Sequence, residues 1–212
     1  MDNFLSDMSI YSVLLPLLTG LVLLRFQDAN ARIMIILLAF ASISQIGSKF
    51  LEVDRKIFYN SYILVDTLFW SLLFFRNTKA KYARMLILML CLSLVTLSIT
   101  VFIHNGISKA FYSYLVCFDN TIQLICVLIY FFERYTYETF TRLTDDSMFW
   151  FCIGILFYAP CTYFLFAYRW IKGSYLDELW NYHHILNTLL YLIITIGFLV
   201  NVKKVRLLLP WI

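Results

Sequence analysis

Charge is scarce in this chain. Of its 212 residues only 14% are Asp, Glu, Lys or Arg, against about 25% in a soluble domain. With 62% apolar residues beside it, that shortage excludes a soluble enzyme and a disordered or fibrous protein. Glycine and proline are few, six and three, and so little turn material suits long helices with brief links. Also missing is the alternation of polar and apolar residues, in segments of about ten, that an outer-membrane barrel needs. The cysteines (Cys91, Cys117, Cys126, Cys152, Cys161) show no CxxC spacing and fall inside apolar runs, where the thiol behaves as a small apolar group. Neither a disulfide framework nor a zinc knuckle is expected. The opening stretch MDNFLSDMSIYSVLLPLL has no positive n-region and no small-residue cleavage site, so its apolar run reads as a span and not a signal peptide.

What the chain has is apolar length. A membrane-crossing helix takes about 20 residues, and seven such runs can be drawn: Met8–Leu24, Ile33–Leu51, Ile57–Phe75, Met85–Ile103, Ala110–Phe132, Met148–Tyr168 and Leu179–Val200. The fold class expected is therefore all-α, a polytopic seven-transmembrane-helix bundle, with residues 1–212 forming one domain. Charge in the links sets the orientation. With the N-terminus outside and the C-terminus inside, the inner links and tail hold eleven Lys and Arg and the outer side six. The excess charge of +4 belongs to this asymmetry and to anionic lipid, and nothing points to nucleic acid. Tyr and Trp near span ends (Tyr62, Tyr112, Trp170 and Trp180 among them) read mostly as interfacial belts. Pro16 and Pro160 lie inside spans one and six and are expected to kink them.

Two acids interrupt the apolar runs, Asp66 in span three and Asp119 in span five. Each costs about 2.5–3.5 kcal/mol at a span centre, and such residues face the bundle interior. With the topology above, both stand near the midplane. Other polar residues match that depth or sit just outside it. Gln45 and Lys49 share a face of span two, Gln123 stands one turn from Asp119, and His183 and Asn187 are stacked four apart in span seven. Gln45, Lys49, Asp66, Asp119, Gln123, His183 and Asn187 are the candidate ligand-binding residues, in a pocket expected to open outward. A polar network that only holds the bundle in register is the competing account, and Ser42, Ser44, Ser93, Thr96, Ser98 and Thr195 are expected to bond backbone. If Asp66, Asp119 and His183 converge, the carboxylates repel and the group titrates as a unit.

Specific chemistries fall away in turn. Retinal is excluded because the last span has no Lys for a Schiff base. With three His in the chain, one in a loop and two adjacent, a three-ligand zinc site is not expected, and no metal or other cofactor is assigned. No serine elbow or Gly-rich phosphate loop supports a reaction, so the reading leans away from an enzyme. The alternative retained is a membrane-embedded lipid hydrolase with Asp66 and Asp119 as general acid and base, assisted by His183.

The last third, MFWFCIGILFYAPCTYFLFAYRW and then LWNYHHILNTLLYLIITIGF, resembles a group of small uncharacterised seven-helix bacterial membrane proteins. The matching residues are Phe149, Trp150, Gly154, Leu156, Trp180, His183 and Asn187, an FW-x3-G-x-L stretch and a W-x2-H-x3-N span. Acids in spans three and five belong to the pattern, mostly Glu where this chain has Asp66 and Asp119. The resemblance implies a bacterial inner-membrane protein and, through members that accompany sensor kinases, a link to signalling. It supplies no activity. The expectation is a receptor-like or accessory protein that binds a small ligand, a lipid or a partner protein. A small subunit of a larger membrane complex is the remaining alternative.

Overall fold

The computed structural model describes residues 2–50, 54–137, 143–172 and 177–208. Eight α-helices follow one another: α1 (Asp2–Ser12), α2 (Leu14–Val22), α3 (Ala29–Phe50), α4 (Arg55–Asn77), α5 (Lys81–Asn105), α6 (Ser113–Tyr137), α7 (Ser147–Lys172) and α8 (Asp177–Leu208). No strand occurs among the described residues. Taken together as Phe4–Val22, α1 and α2 make one span, and α3 to α8 each supply another. The result is a multi-pass membrane bundle of seven spans.

The two prolines act differently. Pro16 has no N–H for the carbonyl of Ser12 and its ring crowds that group. Helix α1 ends at Ser12 and α2 restarts at Leu14, while Val13 between them keeps helical dihedrals, so the span is interrupted in its hydrogen bonding and not in its path. Pro160 leaves α7 continuous from Ser147 to Lys172.

The helices pack in a ring. The first span lies beside α3, then come α4, α6, α7 and α8, and α8 closes back onto α1 and α2. Helix α5 is left outside the ring, against α4 and α6. Accordingly Met85, Leu88, Met89 and Leu92 on it are exposed apolar side chains, as lipid-facing residues are. Helices α7 and α8 approach closely through small residues. A Cβ at Gly197 would lie 2.6 Å from the Phe151 ring, and one at Gly154 would lie 2.9 Å from Leu190.

The two ends of the bundle differ. At the end where α3, α5 and α7 begin, polar clasps join the elements. Asp28 caps α3 through the Ala31 N–H (2.7 Å) and accepts from the Ser147 hydroxyl at the start of α7 (3.0 Å). Asp146 caps α7 through the Met148 N–H and accepts from Arg134 (2.8 Å) and Tyr130 (3.1 Å). Gln27 donates to the Phe198 carbonyl and accepts from Asn201. Beneath these clasps Leu73, Phe74, Val127, Phe151 and Phe198 are fully buried. That half is a packed plug. The cavity lies in the other half.

Candidate functional site

Asp66 stands eleven residues into α4, about 16 Å along the helix axis and thus near the middle of a hydrocarbon core about 30 Å thick. Asp119 comes to the same depth on α6, and the two carboxyl groups lie within hydrogen-bonding reach of each other. One side chain bridges them. The Gln123 amide nitrogen donates to Asp66 Oδ2 (2.7 Å) and to Asp119 Oδ2 (2.8 Å), one hydrogen for each. Tyr62, one turn before Asp66, donates its hydroxyl to Asp66 Oδ1 (3.0 Å). Thr67 Oγ1 is 2.7 Å from Asp119 Oδ1 and 2.8 Å from the Ile63 carbonyl. Asp119 and Gln123 are buried. Asp66 keeps some accessible surface and lines a cavity.

That cavity measures about 590 Å³, inside the range of small-molecule sites. Its floor is formed by Asp66, Trp70, Asp119 and Gln123, and its walls carry Gln45, Tyr158, His183, Asn187 and Tyr191. It extends to Asp54, Arg55 and Lys56, which are exposed, so the mouth is at the end of the bundle opposite the plug. Six of the seven residues expected from sequence therefore meet around one space. Lys49 stands apart from them. Its ammonium pairs with Asp7 of α1 and lies 5.1 Å from the Tyr11 ring centroid, and Lys49 is not among the cavity-lining residues. At the end of α3 its long stem reaches a neighbouring helix more easily than the cavity. Arg55, Lys56 and Arg169 bring positive charge to the cavity's rim instead.

His183 is in the cavity wall but is not joined to the carboxyls. Its ring sits among Trp180, Phe166 and Tyr158, with centroids 4.9, 5.5 and 6.1 Å away, and no hydrogen bond runs to Asp66 or Asp119 among the described residues. The three-way convergence expected from sequence is thus a pair of acids with the histidine further along the wall. Among the described residues no three His, Cys, Asp or Glu gather closely enough to hold a metal ion.

Four residues of the lining each bury a polar atom that has no hydrogen-bond partner among the described residues: Gln45 Oε1, Asn120 Nδ2, His183 Nδ1 and His184 Nδ1. Their neighbours are satisfied. Gln45 donates to the Tyr191 hydroxyl (2.7 Å) and Asn187 to Ser9 Oγ (3.0 Å). Away from the cavity, Ser42, Ser93 and Thr195 bond carbonyls of their own helices, as expected of small hydroxyls in membrane helices, whereas Ser98 Oγ is buried with no partner among the described residues.

Sequence reasoning passes over Tyr62, Thr67 and Tyr191 as site residues. Tyr62 at i−4 from Asp66 and Tyr191 at i+4 from Asn187 are the signals that point to two of them. No protein-family model, curated protein or solved structure matches this chain, so its function is argued from this geometry.

Proposed function

We propose that the chain is a receptor-like protein of the bacterial inner membrane whose cavity binds a small ligand entering from the outer side. The observation that carries this reading is the set of four unpartnered buried polar atoms on residues of one lining. A network serving only to register the helices leaves few such atoms, because each buried group without a partner costs about 1–3 kcal/mol. A ligand with its own donors and acceptors supplies what they lack. The hydrolase alternative draws less support, since its assisting histidine has no bond to either carboxyl. A partner helix would need an apolar approach, whereas the mouth at Asp54, Arg55 and Lys56 is charged.

The outward direction follows from the basic residues. The links at the plug end carry Arg25, Arg32, Arg76, Lys79, Lys81 and Arg84, which supports a reading with that end cytoplasmic and the N-terminus and cavity mouth outside. Alkaline phosphatase fused after Ile212 is expected to be inactive in cells, and fused ahead of Met1 to be active when exported. The opposite pair of results overturns the orientation.

Ligand retention is tested by native mass spectrometry of gently purified protein. Wild type is expected to carry an added small-molecule mass. In Asn120→Trp, whose indole fills the cavity beside Gln123, that mass is expected to be lost while helix content is unchanged. Identical spectra from the two proteins would count against the reading.

A further inference from the structure

The charge at the cavity floor follows from counting hydrogens. Gln123 gives one hydrogen to each carboxyl and Tyr62 gives its own to Asp66 Oδ1. Both oxygens of Asp66 are thus served by donors, as a carboxylate's are. Thr67 directs its hydroxyl toward Asp119 Oδ1 (2.7 Å) and the Ile63 carbonyl (2.8 Å). Every oxygen of the pair thus faces a donor, and two carboxylates bridged this closely do not both ionise, so the pair shares one proton. One negative charge remains on the pair, and Asp66 is the less buried member, lining the cavity. No Lys, Arg or His among the described residues pairs with either carboxyl; the nearby ion pairs are Lys49–Asp7 and Lys56–Asp54.

A charge held at the membrane's middle without a counter-ion is costly to the protein alone. The surroundings match an organic cation. Tyr62, Trp70, Tyr158 and Tyr191 line the same space, and the faces of such rings attract ammonium groups. A second, independent feature is Asn120, which is 3% exposed, lines the cavity and has no partner for Nδ2 among the described residues. It offers a donor to an oxygen on the bound molecule. We propose that the floor of the cavity binds a monovalent organic cation, an amine or quaternary ammonium with a hydroxyl, ether or ester oxygen nearby, its charge on Asp66 and its oxygen on Asn120. This rests on the cavity being a ligand site and adds the ligand's charge. Free solutes and lipid headgroups both offer that chemistry.

The test titrates wild type in phosphatidylglycerol nanodiscs with choline, ethanolamine, glycerol or acetate, reading the intrinsic fluorescence of Trp70 and Trp180 in the lining. Choline or ethanolamine is expected to give a saturable change, and neutral glycerol and anionic acetate none. Asp66→Asn is expected to weaken that binding by about tenfold or more. Repeating the titration in nanodiscs containing phosphatidylethanolamine separates the sources. Competition there identifies a headgroup as the ligand, and an unchanged curve identifies a free solute. The wild-type selectivity stands as a readout even if Asp66→Asn does not fold. Saturable binding of glycerol or acetate with both amines silent overturns the cation and leaves the cavity reading intact. Silence of every probe overturns the cation, while retention of a native mass decides the cavity reading separately.

Discussion

Gln123→Leu is expected to lower the thermal midpoint of the detergent-purified protein by about 6–20 °C, corresponding to roughly 3–5 kcal/mol for a chain of this size. The side chain supplies both hydrogens that join Asp66 and Asp119, and hydrogen bonds to charged groups are each worth about 1.5–3 kcal/mol. Leucine removes both and leaves two carboxyls facing each other with no common donor. The companion variant carries leucine at 66, 119 and 123 together. It removes every polar atom of the bridge, and apolar replacement of a buried polar group is often neutral or stabilising. The triple variant is expected to melt at or above the wild-type temperature. That contrast separates two accounts of the site. A network kept for stability would make the triple variant the least stable of the three proteins. A midpoint for Gln123→Leu within a degree of wild type would show that the carboxyls are not bridged.

Glu133→Ala is expected to open the link between α4 and α5 to trypsin, which the wild-type link resists. Glu133 is buried on α6 and accepts the backbone N–H of Lys79 (2.7 Å) and of Ala80 (3.0 Å). These are donors at the start of α5 that no intrahelical carbonyl can take. The carboxylate also meets the positive end of the α5 dipole. Losing both charge-assisted bonds removes about 2–4 kcal/mol of local stability, so the link opens about 30- to 1,000-fold more often. Cleavage is expected after Arg76, Lys79, Lys81 and Arg84. Glu133→Gln keeps one acceptor and should fall between the two. Equal cleavage rates for wild type and Glu133→Ala would show that the clasp is not holding the link.

The spans are legible because apolar length is a crude and strong signal, and their centres need no correction. Their ends move by a few residues, as in α4, which starts at Arg55 and not Ile57 because Asp54 accepts the Lys56 N–H and fixes the first turn. Asp66, Asp119 and Gln123 are legible for the same reason in reverse, since a carboxyl in an apolar run is too costly to keep without polar company. The partners of those acids are not. A tyrosine near a span end looks like Tyr62 whether it anchors an interface or donates to an aspartate, and a threonine like Thr67 is common in membrane helices. Helical spacing aligns Lys49 with Gln45, while nothing in spacing shows that Asp7 on another helix is within its reach. Glu133 reads as link charge because hydropathy falls there, though its side chain turns inward to backbone donors. The ring with α5 outside is not legible at all. Helix order in space is set by which faces fit, and α5 is apolar on every side.

The closure of the ring has a consequence for synthesis. The first span packs against α8 as well as α3, and the turn after it is buried against Phe198 and Asn201 through Gln27. The ribosome makes the partners of Gln27 some 171 and 174 residues later. At about 5–20 residues per second, the first span waits roughly 9–35 s in lipid with part of its binding face bare. Through that interval its own apolar length must hold it in place. Ser9 has no Asn187 to accept from until the last helix arrives.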